Sequence, residues 1–169
     1  MKELLIINIL LLGASIPVEA RVQSLEQVHI TRIAIGEKAD SIDRITQATI
    51  EHAIEDNYPD WKLESSSESK ESSSSTITWA SGELKMVVYV SYLTSPEEAA
   101  KQIQFNLATI LMPLYKPLAH VGSEAYLVKD EGPIMFREAN IVVTVCGCEA
   151  PLEIVEQFAK RIADSVAAR

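Results

Sequence analysis

Short turn sequences between apolar stretches are the feature that most limits what this chain can fold into. Ser81–Gly82, Glu131–Pro133 and Glu138–Asn140 each separate two runs of strand-forming residues. Strands joined by such short turns must pair antiparallel, because a parallel pair needs a long crossover connection. The chain is therefore expected to contain antiparallel hairpins.

Three segments have helical spacing, and six have the composition of strands. A helix over about 40–57 ends before Pro59, and a second begins with Ser95 as N-cap and Pro96 in its first position. A third begins at Pro151, with acidic residues early and basic residues late, as the helix dipole favours. The predicted strands are Trp61–Ser67, Thr76–Ser81, Leu84–Leu93, Glu124–Val128, Ile134–Arg137 and Ile141–Cys146.

The order of these elements predicts an α+β fold, an antiparallel β-sheet with helices mainly on one face, in the order α-βββ-α-βββ-α. Along Ile141–Cys146 the odd-numbered residues are the more apolar, so we expect them to face the helices. The even-numbered residues, and with them both cysteines, are then expected on the other, half-exposed face.

The first twenty residues have the features of a secretory signal peptide. Leu4–Leu12 is an apolar run broken only by Asn8, and Val18–Ala20 is a small-residue cleavage pattern. The run is shorter than the about 20 residues that span a bilayer. We expect cleavage after Ala20, with 21–169 folding as a single periplasmic or secreted domain that does not insert into the membrane. An ordinary buried helix or a retained anchor is the alternative. The segment 22–39 fits either an edge strand or an additional helix.

The net charge limits the class of partner. The whole chain has a formal net charge of −9 and no basic run. Nucleic acids and anionic lipids are therefore not expected as partners. The partner that remains is an unknown ligand or protein.

The segment Glu64–Thr76 consists almost entirely of serine, glutamate and lysine. A low-complexity polar stretch between two strands is typical of a mobile connection. We predict a flexible, Ser-rich hairpin tip over 64–76.

Both cysteines, Cys146 and Cys148, lie at the end of the last predicted strand with only Gly147 between them. Residues two apart in an extended strand have Cβ atoms about 6.5–7 Å apart, whereas a disulfide needs about 3.8 Å. A bend at Gly147 would allow the bond. Four alternatives stay open: two packed thiols, a strained disulfide, a thiol catalyst, and a metal site that would recruit His120 or Glu149.

The sequence offers little catalytic chemistry. Its three histidines, His29, His52 and His120, are scattered, and the common nucleophile, phosphate-loop and dinucleotide motifs do not occur. Arg137 with Glu124 and Glu138 predicts a charged cluster, which as a rule is only a surface ion pair. These observations favour a non-enzymatic protein, without catalytic, metal-binding or cofactor-binding residues and without a cofactor.

The segments "VGSEAYLV" (121–128) and "IMFREANIVVTV" (134–145) form a pattern of their own. The pattern resembles small exported bacterial proteins of unknown function with a Gly-Asp-Glu-Ala segment, then Phe-Arg-x-Gly-Asn and an apolar strand. Here Ser123 replaces the aspartate, and Glu138–Ala139 replaces Arg-Gly. The resemblance implies an extracytoplasmic sensor or binding domain and assigns no functional residues.

These observations lead to one hypothesis and one alternative. The hypothesis is an exported, non-enzymatic domain that binds a ligand or partner on the sheet face away from the helices. The alternative is a thiol-redox or metal-handling protein that uses Cys146 and Cys148.

Overall fold

The helices and strands follow one another in the predicted order. The computed structural model describes residues 40–69, 71–109, 114–129 and 132–168. In these ranges the elements are α1 (Asp40–Glu55), β1 (Lys62–Ser69), β2 (Ser74–Ser81), β3 (Leu84–Tyr92), α2 (Pro96–Thr109), β4 (Tyr115–Pro117), β5 (Glu124–Val128), β6 (Ile134–Glu138), β7 (Ile141–Cys148) and α3 (Leu152–Ala167).

The predicted signal peptide over 1–20 and the segment 22–39 lie outside the described residues. Export therefore stays a prediction. Within the described ranges, no helix is long and apolar enough to cross a bilayer.

The seven described strands form one sheet in the order β1-β2-β3-β7-β6-β5-β4, and every neighbouring pair is antiparallel. The predicted antiparallel α+β fold is thus confirmed. β3 and β7 join the two groups of strands through eight residue pairs, from Lys85↔Cys148 to Tyr92↔Ile141. β7 is buried at every position from Ile141 to Cys146, as expected of a central strand.

One face of the sheet, called here the core face, packs against α1 and α3. The odd-numbered residues Val143 and Val145 of β7 belong to this face, as the alternation predicts. At its centre the ring of Phe158 lies 4.6 Å from the ring of Tyr58, 4.9 Å from that of Trp61 and 6.2 Å from that of Trp79, measured between centroids. Phe158 is fully buried.

The other side of the sheet, called here the opposite face, is partly covered by α2. Ala99, Ile103 and Leu107 of α2 pack against Met135 and Val142. Two of the three described helices therefore lie on the core face, and the third closes the part of the opposite face above β6 and β7. The predicted binding face is therefore partly covered by a helix, and the described helix contacts on it lie at β6 and β7 rather than at β1 and β2.

Capping hydrogen bonds at the start of α2 explain why this boundary could be predicted from the sequence. The backbone N–H of Glu98 donates to Ser95 Oγ at 3.2 Å, and the Glu98 carboxylate accepts from the backbone N–H of Thr94 at 3.1 Å. The two bonds satisfy orphan donors of the first turn, as in a capping box. The carboxylate reaches Thr94 rather than Ser95, one residue earlier than in the standard pattern.

The Ser-rich segment is mostly paired strand. The β1–β2 ladder continues to Ser69↔Ser74, with a bulge between Leu63 and Ser65. The predicted hairpin tip over 64–76 is therefore too long, because backbone pairing extends through serines that have little intrinsic strand preference. The mobility of the turn itself stays a prediction.

The strand β4 was not predicted. It has only three residues, Tyr115–Pro117, and it pairs with β5 at the edge of the sheet. A strand this short leaves no alternation to detect, and Pro117 argues against a strand except at an edge.

Replacing Phe158 with alanine should lower the free energy of unfolding by about 3–5 kcal/mol, because the ring fills the space between three other aromatic rings. Phe105→Ala is the matched control, since Phe105 is 48% exposed on α2. It should change stability by about 0.5 kcal/mol or less. Urea denaturation of the two variants measures both values, and equal losses would contradict this description of the core.

Candidate functional site

Cys146 and Cys148 lie on the opposite face, as the strand alternation predicts. Cys146 is directly across from Val87 of β3, and Cys148 is across from Lys85. Both thiols are free, so the disulfide alternative is wrong for this structure. The strand continues without a bend through Cys148 and keeps the two residues apart.

The two thiols differ in exposure. Cys146 is buried, contrary to the half-exposed position predicted for it, whereas Cys148 is half-buried. Burial, with a small contribution from Cys148, raises the pKa of Cys146 to about 12. Burial and the charge of Glu149 raise the pKa of Cys148 as well, partly offset by Lys85. The raised pKa values keep both thiols protonated at neutral pH, whereas nucleophilic attack and metal ligation need the thiolate.

Gly147 is required by packing on the core face and not by the two cysteines beside it. A Cβ atom at this position would lie 2.5 Å from Val155 Cγ2 and 3.1 Å from the Ala150 Cβ. Glycine therefore allows the first turn of α3 to approach β7. The left-handed conformation falls on Glu149, with φ 61°, so the chain turns after the cysteine pair and not between its members.

The candidate metal ligands do not come together. In the described ranges, no group of three His, Cys, Asp or Glu side chains is placed to hold a metal ion. His52 pairs with Asp56 along α1 at 3.2 Å, and His120 is exposed in a turn. Glu149 follows Cys148 directly, and His29 lies outside the described residues.

The residues of the sequence pattern 121–145 meet in the hairpins of β5, β6 and β7. Gly122 has φ 57°, and a Cβ there would lie 2.6 Å from the carbonyl oxygen of Arg137. The next N–H, of Ser123, donates to that same oxygen at 3.0 Å. Glycine at 122 thus brings the start of β5 against β6.

Asn140 ties the last hairpin to the middle of the sheet. Its side-chain Nδ2 donates to the carbonyl of Leu93 at 2.7 Å, and the backbone N–H of Leu93 donates back to the carbonyl of Asn140 at 2.9 Å. Ala139 before it has φ 49°, which explains why glycine is expected at that place in the pattern. These contacts hold the end of β3, just before α2, against the β6–β7 turn.

Glu124 and Arg137 form the cluster predicted from the sequence, but Glu138 does not join it. Arg137 Nε donates to Glu124 Oε2 at 2.6 Å, and both side chains are 23% exposed. Glu138 instead accepts a bond from Ser123 Oγ at 2.9 Å. Adjacent strand residues point to opposite faces, which separates Glu138 from Arg137.

Two further residues complete the Glu124 cluster and were missed by sequence reasoning. Tyr126 OH and Gln104 Nε2 both donate to Glu124 Oε1 at 2.7 Å. Burial alone would raise the pKa of Glu124, but the hydrogen bonds from Arg137, Tyr126 and Gln104 and the Arg137 charge together lower it. Because Gln104 belongs to α2, the cluster fastens this helix to the sheet; Tyr126 was detectable as the i+2 neighbour of Glu124.

The β1–β2 end of the opposite face is lined by hydroxyl groups. Register pairs Ser69 with Ser74, Ser67 with Thr76, and Ser65 with Thr78. The β1 serines are exposed, and the β2 residues are half-buried. We call the following six side chains the hydroxyl surface: Ser65, Ser67, Ser69, Ser74, Thr76 and Thr78.

The hydroxyl surface has a regular spacing and no charge of its own. Paired side chains across the strands are about 4.8 Å apart, and successive ones along a strand about 6.7 Å apart. At one end of the surface Lys85 and Glu64 pair with each other at 3.0 Å, and Glu71 lies in the turn at its other end. Each hydroxyl both donates and accepts hydrogen bonds, so the surface suits a neutral partner that also does both.

No family model and no curated protein matches the chain. One solved structure shares its fold: a GTP binding regulator from Thermotoga maritima, with a TM-score of 0.50 and 15% sequence identity. The similarity covers 75% of this chain and 87% of that protein. At this level of identity the likeness shows the fold alone.

Gly122→Ala should destabilise the domain by about 3 kcal/mol or more, because it combines left-handed strain with a clash against a backbone oxygen. Gly82→Ala isolates the strain, since Gly82 has φ 62° but nothing within 4 Å of its added Cβ. Its cost should be about 1–2 kcal/mol. Equal midpoints in urea for the two variants would contradict the close approach at Gly122.

The raised pKa of Cys146 makes stability depend on pH in the alkaline range. The folded state holds this proton more tightly than the unfolded chain. The free energy of unfolding therefore has its full value below about pH 9 and falls as the pH rises towards 12. The slope for one proton is about 1.4 kcal/mol per pH unit. Unfolding free energies between about pH 9 and 11 should fall more steeply for the natural chain than for Cys146→Ala; parallel profiles would contradict the burial of this thiol.

Proposed function

We propose that this chain is an exported, non-enzymatic binding domain whose partner contacts the hydroxyl surface. The observation that carries the proposal is the contrast within the opposite face. Its β6–β7 end is closed by α2, whereas its β1–β2 end presents six hydroxyl groups at sheet spacing. A partner would be recognised there by hydrogen bonds rather than by charge.

The type of partner follows from the chemistry of the surface. A cation or an anion would leave half of each hydroxyl's bonding capacity unused, and the surface supplies no countercharge. A neutral, polar and fairly flat group matches it better, such as a polyol, a glycan or an exposed polar protein segment. The net charge of −9 disfavours polyanionic partners.

The alternative function, thiol-redox or metal handling by Cys146 and Cys148, has less physical support. Both pKa values are raised, so each thiol would have to give up its proton against the cost of burial. No third metal ligand lies beside the pair in the described part of the chain. The alternative nevertheless makes a distinct prediction, namely that function is lost when both thiols are removed.

Export and the class of protein rest on the sequence. The features of 1–20 support secretion, and the pattern 121–145 supports an extracytoplasmic sensor or binding domain. The Thermotoga maritima protein adds no activity, since 15% identity carries only the fold. GTP binding is therefore not part of the proposal.

A photo-crosslinking amino acid in place of Thr76 should yield covalent adducts in the compartment where the protein resides, because Thr76 lies at the middle of the hydroxyl surface. The same amino acid in place of Gln157, which is exposed on α3, is the matched control and should give none. Mass spectrometry of the purified protein identifies adducts and also gives its first residue, expected to be Arg21.

The same crosslinking experiment with Cys146→Ala and Cys148→Ala separates the two functions. If the hydroxyl surface binds the partner, the adduct at position 76 should persist in this double variant. Loss of the adduct would support the thiol alternative instead. An adduct from position 157 alone, or none from either position, would overturn the proposed binding surface.

A further inference from the structure

The edge strand β1 is unusually open to pairing. It has eight residues, and all of its side chains are exposed. No other described strand pairs with it besides β2. The opposite edge of the sheet is protected, because β4 has three residues and ends in Pro117. Natural sheets usually shorten, charge, bulge or cover an edge to prevent association. On β1 the bulge and two of the three charges lie near the start of the strand, and the rest of it carries only one charge.

The usable part of this edge is Ser65–Ser69. The bulge between Leu63 and Ser65 interrupts the strand before it, together with the charged Lys62 and Glu64. From Ser65 to Ser69 the register with β2 is regular. Four of these five residues are serine, and Glu68 is the only charge. The segment can therefore accept a second strand without deforming its own sheet.

The side chains of this segment are self-complementary in one register. In an antiparallel pair across a two-fold axis, opposed residues lie on the same face, so the axis must pass through a residue. An axis through Glu68 would place this carboxylate against its own copy, and an axis through Ser66 would bring Glu68 towards Glu64. An axis through Ser67 opposes no like charges between the two β1 strands, because Glu68 then lies across from Ser66, whose hydroxyl donates to Glu51 of α1 within its own copy.

We propose that the occupant of this edge is a second copy of the same chain, paired antiparallel through Ser65–Ser69 with the two-fold axis at Ser67. This register places Ser65 of one copy across from Ser69 of the other. The described strands of both copies would then form one continuous sheet, and their hydroxyl surfaces would meet across the axis on the same face. The proposed dimer is inferred from the geometry of the β1 edge alone and does not depend on the proposed binding function.

Charge substitutions at positions 65 and 69 test the register. Because the proposed pairing opposes these two positions between copies, Ser65→Lys with Ser69→Lys places like charges across the axis twice. Ser65→Lys with Ser69→Glu places opposite charges there. Within one chain the two positions are about 13 Å apart, beyond the screening length at about 0.1 M salt. Both positions are exposed, so neither variant should disturb folding.

Sedimentation equilibrium over micromolar to millimolar concentrations should show a monomer–dimer equilibrium for the natural chain. The dissociation constant should rise about tenfold in the variant with two lysines and fall several-fold in the lysine–glutamate variant. A variant with Ser65→Glu and Ser69→Glu should dimerise poorly alone, but it should form heterodimers when mixed with the two-lysine variant. Amide hydrogen exchange within 65–69 should slow as the concentration rises.

Two results would overturn the proposal. The first is a natural chain that stays monomeric throughout the concentration range. The second is a dimer whose dissociation constant does not distinguish the two-lysine variant from the lysine–glutamate variant. In that case the copies associate through another surface, and the β1 edge is not the interface.

Discussion

The structure depends most on the antiparallel pairing of β3 with β7. These are the central strands, and their register decides which residues of each half face α1 and α3. Val88 lies across from Val145, so the apolar residues of both halves meet on the core face. A slip of one residue would turn Thr144 and Cys146 towards α1 and α3 and move Val143 and Val145 to the opposite face. The burial of β7 on both faces makes that slip costly.

The same strand explains the Cys-Gly-Cys sequence without any redox chemistry. Gly147 lies on the core face, where Val155 of α3 approaches too closely for a side chain. Cys146 and Cys148 lie on the other face, where Cys146 fills space beside Val87 as a small, neutral side chain. The spacing of the two cysteines thus follows from strand alternation around a glycine that helix packing requires.

Sequence reasoning succeeded where a local signal fixes local structure. The cap at Ser95, the stop at Pro59 and the start at Pro151 placed the helices, and the short turns fixed antiparallel pairing. It failed where the outcome depends on distant contacts. Nothing local says that α2 crosses to the opposite face, because an amphipathic helix packs equally well on either side. Gln104 was missed for the same reason, since its partner Glu124 comes from a strand twenty residues later.

The pattern 121–145 and the Ser-rich segment 64–76 each differ in the structure from what their sequences suggest. The pattern 121–145 looks functional, yet Gly122 and Asn140 are used to hold backbone segments together, and Glu124 fastens α2. Such residues preserve a fold while leaving its ligand free to vary. The Ser-rich segment looks like a simple connection, yet it forms β1 and most of the hydroxyl surface. Exposed hydroxyls contribute little to folding, so the serines of β1 can be used for the proposed contact with another molecule at little cost in stability.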